Sequence, residues 1–125
     1  MSTNDRIRAA MDEMSKVEVE LIYIVSFDLK GASSEYGPIN ADLDRAGYSR
    51  DTNIGESTIP RNLFAGRRKV EYHPRKKDLG NILEEESISF KKEVVGILEK
   101  HAPGKFDKVF LSVSPKDNTV IRIIK

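Results

Sequence analysis

Apolar positions recur at Ile7, Met11 and Met14, the spacing of one helix face, with Thr3 or Asn4 placed to cap it. The period then changes to two. Val17, Val19, Leu21, Tyr23, Val25 and Phe27 alternate with Glu18, Glu20, Ile22, Ile24, Ser26 and Asp28. The strand this predicts is half-polar at its start and apolar on both faces over Ile22 to Phe27, as when a strand passes from the margin of a sheet into its middle. A small polar turn follows, and Tyr36, Ile39, Leu43 and Ala46 return to helical spacing. Ser34 is placed to cap that helix, Pro38 falls in its first turn and Gly47 supplies its stop. Two weaker strand-like pieces, about 48–54 and 62–71, are separated by Gly55 and Pro60 and predict a hairpin with an elaborated turn. After a basic loop, Asn81 and Glu84 have the spacing of a capping box. Leu83, Phe90, Val94, Ile97, Leu98 and His101 then form one face of a long helix that Pro103 and Gly104 end. Val109, Leu111 and Val113 alternate with Phe110 and Ser112, and alternation resumes from Val120 to Ile124 beyond a Ser-Pro-Lys-Asp-Asn turn.

This order predicts an α/β (α+β sandwich) domain of ferredoxin-like type, β-α-β-β-α-β, over 17–125. It carries an N-terminal helical extension over 1–16 and an extra C-terminal strand. The sheet is expected to be antiparallel with the first strand central. Two helices cover one sheet face, so the other apolar face needs the N-terminal helix, a second subunit or both. A homodimer is the expectation.

Composition narrows the setting. The 125 residues suit one core, and the absence of cysteine excludes disulfides and thiolate metal sites, so a cytoplasmic address is expected. The charged N-terminus has no signal-peptide run and no stretch is apolar enough to span a membrane. A net charge of +1 gives no global attraction to nucleic acid. Charge is clustered locally: Arg67, Arg68, Lys69, Arg75, Lys76 and Lys77 stand against Glu71 and Asp78, a balance of +4, before the acidic run Glu84, Glu85, Glu86.

Tyr23-Ile24-Val25-Ser26-Phe27-Asp28, a first strand closing on an aspartate, resembles the opening strand of the small CRISPR-associated endoribonucleases. Their relatives include the virulence-associated D proteins and the GhoS-type antitoxin, which cleaves its toxin's messenger RNA. Ile59-Pro60-Arg61-Asn62-Leu63 is similar to the second half of the GhoS-type pattern. The likeness runs from about Glu20 to Val113, and residues 1–16 and 70–80 have no counterpart in it. It implies a ferredoxin-like homodimer with metal-dependent ribonuclease activity in several members. It also implies that Asp28, from two copies beside a dimer axis, holds a Mg²⁺ or Mn²⁺ ion.

Each candidate residue has a plainer reading. Asp28 also suits a cap on its own loop through Lys30 or Gly31. Ser26, Ser33 and Ser34 suit phosphate contact, with capping the stronger role for Ser34. Arg61, Arg67 and Arg68 suit backbone phosphates, since guanidinium reads phosphate with two N–H donors, and equally suit solvated strand charges. Arg75, Lys76 and Lys77 read as a solvated loop and His101 as a partner of the helix dipole, while Tyr36, Tyr48 and Tyr72 fit packing positions. The expected function is a homodimeric RNA-binding protein, as a metal-dependent endoribonuclease or an RNA-cleaving antitoxin. The alternative is a non-catalytic dimeric module acting through protein contacts.

Overall fold

The computed structural model describes residues 4, 6, 7, 16–30, 35–50, 63–120 and 122. Their elements are β1 (Val17–Leu29), α1 (Tyr36–Arg45), β2 (Leu63–Tyr72), α2 (Leu79–His101) and β3 (Phe106–Pro115). The class is α+β: a three-stranded antiparallel sheet in the order β2-β1-β3 and two helices. β1 is central and pairs with both neighbours, with Tyr23 opposite Gly66 on one side and Val113 on the other. β2 and β3, joined through α2, bracket it.

The two-sided apolarity of β1 follows from this central place. Leu21, Tyr23, Val25 and Phe27 are buried and meet Phe90, Val94 and Leu98 of α2 and Ile39 and Leu43 of α1. The alternate residues, Ile22, Ile24 and Ser26, face away from the helices, and Ile22 is also buried. On that same face Ala65 is buried and lies opposite Ile24, so the centre of this face is covered as well.

α1 begins where expected, with Pro38 in its first turn, and stops at Gly47, whose φ of 99° favours glycine. Its cap position is Glu35, whose side chain makes no capping bond; Ser34 lies outside the described residues. The cap of α2 corrects the Asn81 expectation. Asp78 holds extended backbone and its carboxylate accepts the Asn81 N–H at 2.8 Å, so the helix starts at Leu79. An anionic acceptor three residues earlier suits the positive end of the helix dipole.

Of the expected hairpin, the second piece is β2. The first is represented by Ser49, which exchanges backbone bonds of 3.0 and 2.9 Å with Ala65 along the outer edge of β2; positions 51–62 lie outside the described residues. Among the described residues no strand follows Pro115. Lys116–Asn118 make a 3₁₀ turn, and 121 and 123–125 of the expected last strand lie outside them. Residues 4, 6 and 7 are helical, whereas Met11 and Met14 of the expected N-terminal stripe lie outside. No described helix is long and apolar enough to cross a membrane.

Candidate functional site

Two polar constellations stand out. The first lies between sheet and helices. Arg68 is on the helix-facing side of β2, opposite Leu21, and its guanidinium lies 5.2 Å from the ring centres of both Tyr23 and Tyr48. It donates to the Tyr48 hydroxyl at 2.5 Å and to Glu93 Oε1 at 3.2 Å. Tyr48 donates to the same Glu93 oxygen at 2.5 Å, and Tyr23 donates to Glu86 Oε2 at 2.9 Å. Burial, then the bonds to Glu86 and Glu93, push both phenols well above the ordinary tyrosine range. Burial opposes the Arg68 charge, but Tyr48 and Glu93 outweigh it, so its pKa rises. These groups satisfy one another. The arrangement ties β2, the Tyr48 segment and α2 together, and it occupies the guanidinium expected to read phosphate.

The other expected basic residues are similarly placed. Arg67 is on the face turned away from the helices with Nε 3.5 Å from Glu20, and Lys69 is 3.8 Å from Glu18. Lys77 meets Glu85 at 2.6 Å. Arg61 lies outside the described residues, as do Ser33 and Ser34.

The second constellation is at the end of β1. Phe27 and Leu29 both pack toward the core, so Asp28 between them faces away from it and is exposed. Its register partner on β3 is Asp107. Between the pairs Ser26–Phe110 and Asp28–Asp107 the register shifts, and Phe27 alone opposes Lys108 and Val109. This is a β-bulge, with Lys108 in the left-handed region at φ 48°. Asp107 is held by the Lys108 N–H at 2.9 Å and lies 3.9 Å from Lys30 Nζ. Asp28 has no bonding partner among the described residues. The Lys30 N–H goes to the Lys105 carbonyl at 2.6 Å, so it is not spent on a loop cap by Asp28. Phe110, one row further along the face turned away from the helices, is 60% exposed.

Sequence reasoning placed Asp28 correctly as an accessible strand-end carboxylate but missed its neighbours. Phe110 had a signal, an aromatic at the polar parity of an alternating strand. Asp107 had none, because the bulge alone sets its face. Among the described residues no group of three or more His, Cys, Asp or Glu side chains is gathered for a metal.

Elsewhere, Asp42 on α1 accepts from His101 Nε2 at 2.6 Å, and Arg45 and Lys100 also reach it. His101 thus docks α2 on α1 beyond its expected dipole role. The His101 bond, opposed by desolvation and helped by Arg45 and Lys100, lowers the Asp42 pKa from 3.8 to about 2. A depressed carboxylate stabilises the fold fully above its unfolded value and loses that contribution as pH falls through its folded value. The melting-temperature advantage of the wild type over Asp42→Asn is therefore expected to be full above pH 3.8 and to vanish as pH drops through about 2. Thermal melts of both proteins across that range check this; an advantage that is flat with pH would contradict it.

Compared with protein-family models, with curated proteins and with solved structures, the chain matches none. What fold and site define is an α+β protein whose antiparallel sheet has two helices on one face and, on the other, an exposed aspartate with no bonding partner among the described residues.

Proposed function

We propose that this chain is a homodimeric RNA-binding protein on a ferredoxin-like frame, in which Asp28 holds a Mg²⁺ or Mn²⁺ ion for RNA cleavage. The observation that carries the reading is the placement of Asp28: exposed, unpartnered among the described residues and across the strand pair from Asp107. The frame is supported by the β2-α2-β3 unit around β1 and by Ser49 beside β2, where the fourth strand of such a sheet would run. The resemblance of the β1 hexapeptide supports the same function.

The donor chemistry fits a hard cation that keeps several waters, since Asp28 and Asp107 offer carboxylate oxygens only. Asp107 is already engaged by Lys30 and the Lys108 N–H, which leaves Asp28 as the available ligand. When bound, such an ion supplies an activated water and neutralises charge on a phosphate. Asp28→Asn keeps the shape and one acceptor oxygen but loses the charge. It is expected to slow cleavage by roughly 100-fold or more, the scale of losing one preorganised electrostatic group, with RNA affinity nearly unchanged. Labelled RNA incubated with Mg²⁺, Mn²⁺ or chelator tests this, and a wild type without metal-dependent cleavage overturns the nuclease reading.

A second reading is a non-catalytic dimeric module acting through protein contacts. The pairing of Arg67 with Glu20, Arg68 with Glu93 and Lys69 with Glu18 favours it, because cations matched within the chain are less available to phosphate. Retardation of RNA at low salt that falls steeply as salt rises supports the RNA-binding proposal; its absence supports the module.

A further inference from the structure

We infer that the cleft between α1 and α2 binds a phosphate monoester, such as a nucleoside 5′-monophosphate, through Arg45, Lys92 and Lys100. The cleft lies in the helix layer, whereas Asp28 faces away from that layer, so this site goes beyond the reading above and stands or falls separately from it.

The shape of the cleft comes from small residues between long cations. Its volume of about 660 Å³ falls in the range of small-molecule sites. On the α2 side Lys92, Gly96 and Lys100 follow one another at intervals of four residues and so share one line of the helix surface. Nothing lies within 4 Å of the place where a Gly96 Cβ would stand, so the middle of that line is hollow. A lysine flanks the hollow about 6 Å away along the helix axis in either direction. Arg45 and the short side chain of Ala46 form the opposite wall. A group seated over Gly96 is therefore within reach of two flexible ammonium stems and one guanidinium.

The charge of the cleft calls for a dianion. Two carboxylates line it, and both are engaged. Glu93 takes the Tyr48 hydroxyl and the Arg68 guanidinium, which balances its charge. Asp42, with 12% of its side chain exposed, takes His101, Arg45 and Lys100 at once. A single carboxylate charge cannot balance both Arg45 and Lys100, and these two side chains remain 72% and 68% exposed with N–H donors to spare. Lys92 has no partner among the described residues. Three cations thus share one unmatched carboxylate, a surplus of two positive charges. A phosphate monoester carries about −1.5 to −2 near neutral pH, which answers that surplus, whereas a lone carboxylate answers half of it. Guanidinium grips two phosphate oxygens side by side, and the ammonium groups add charge without fixing direction. The volume exceeds what a phosphate fills, and the aliphatic surface of Ile97 and Ala46 receives the organic remainder of the ester.

Calorimetric titration of the full chain with adenosine 5′-monophosphate and with adenosine tests the site. The monophosphate is expected to bind and adenosine is not. Lys92→Gln should weaken the monophosphate by roughly 10-fold, the scale of one hydrogen bond to a charged group, and Lys92→Gln with Lys100→Gln by roughly 100-fold. Gly96→Glu, which puts a carboxylate into the hollow, should abolish binding. Lys92, Gly96 and Lys100 are exposed, so thermal melts of these variants should stay close to the wild type and separate lost binding from lost folding. A short RNA carrying a 5′-phosphate or a 5′-hydroxyl distinguishes the source of the ester. Tighter binding of the phosphorylated end, lost in Lys92→Gln, assigns the site to a strand end, and binding of the mononucleotide alone assigns it to a free nucleotide; either supports the inference. A wild type that binds no phosphate monoester at millimolar concentration overturns it. So does adenosine binding as tightly as its monophosphate, or a double lysine variant that binds as the wild type does.

Discussion

Phe90→Ala is expected to cost about 3–5 kcal/mol of folding stability, the range for truncating a buried aromatic. Phe90 is 2% exposed at the centre of the core, edge-on to Tyr23 at 5.3 Å and tilted against Tyr48 at 4.8 Å. Removing the ring leaves a cavity beneath two tyrosines whose hydroxyls are tied to Glu86 and Glu93 on the same helix, so neither ring can swing in without breaking its bond. Against a total of roughly 5–15 kcal/mol, such a loss is a large share. Tyr23→Phe separates packing from bonding: it keeps the ring, gives up the Glu86 contact and should cost only about 1 kcal/mol. Urea midpoints of the three proteins check this ranking, and a smaller loss for Phe90→Ala than for Tyr23→Phe would contradict it.

Gly66→Ala is expected to reach about 3 kcal/mol, the upper end of what overpacking costs. Gly66 lies opposite Tyr23 on the helix-facing side of β2, and a Cβ there would run into the Gly47 carbonyl oxygen and stand 2.9 Å from the Tyr48 ring. Neither neighbour is free to move. Gly47 closes α1 through its positive φ, and Tyr48 is held by Glu93 and Arg68. Gly96→Ala is the control: nothing lies within 4 Å of its Cβ position, and the helical preference of alanine should raise stability by up to about 1 kcal/mol. Equal effects of the two substitutions would refute the close-approach argument.

Much of the frame is legible along the chain because periodicity reports burial. β1 shows its central position through apolar residues on both parities, and α2 through the stripe Phe90, Val94, Leu98. The cap was harder to read, since Asp78 and Asn81 both precede the apolar run and only backbone conformation separates them. The arginines show a sharper limit. Arg67 and Arg68 are adjacent and chemically alike, yet one pairs with Glu20 on the face turned away from the helices while the other sits between two tyrosines. Which is which depends on the register of β2 against β1, a long-range pairing that local composition does not encode. Asp28 was visible because it ends an apolar strand. Its partner Asp107 was not, because a strand read in steps of two gives it the wrong face.

The bulge at Lys108 makes the β3 strand behave like a text read in two phases. Counted back from Val113, Leu111 and Val109, strict alternation would send Asp107 into the core and Phe106 out to solvent. The extra residue reverses both assignments: Phe106 packs on the core, and Asp107 comes round to stand opposite Asp28. Ironing the bulge out at unchanged chain length would act as a frameshift in space, leaving every letter in place while exchanging inside for outside over the segment that carries Asp107. Removing one of the two residues that oppose Phe27 would instead restore a regular ladder with Phe106 inward and Asp107 still opposite Asp28. The bulge is therefore the device that lets a segment one residue too long for its ladder keep both side chains on their faces, at the cost of left-handed backbone at Lys108.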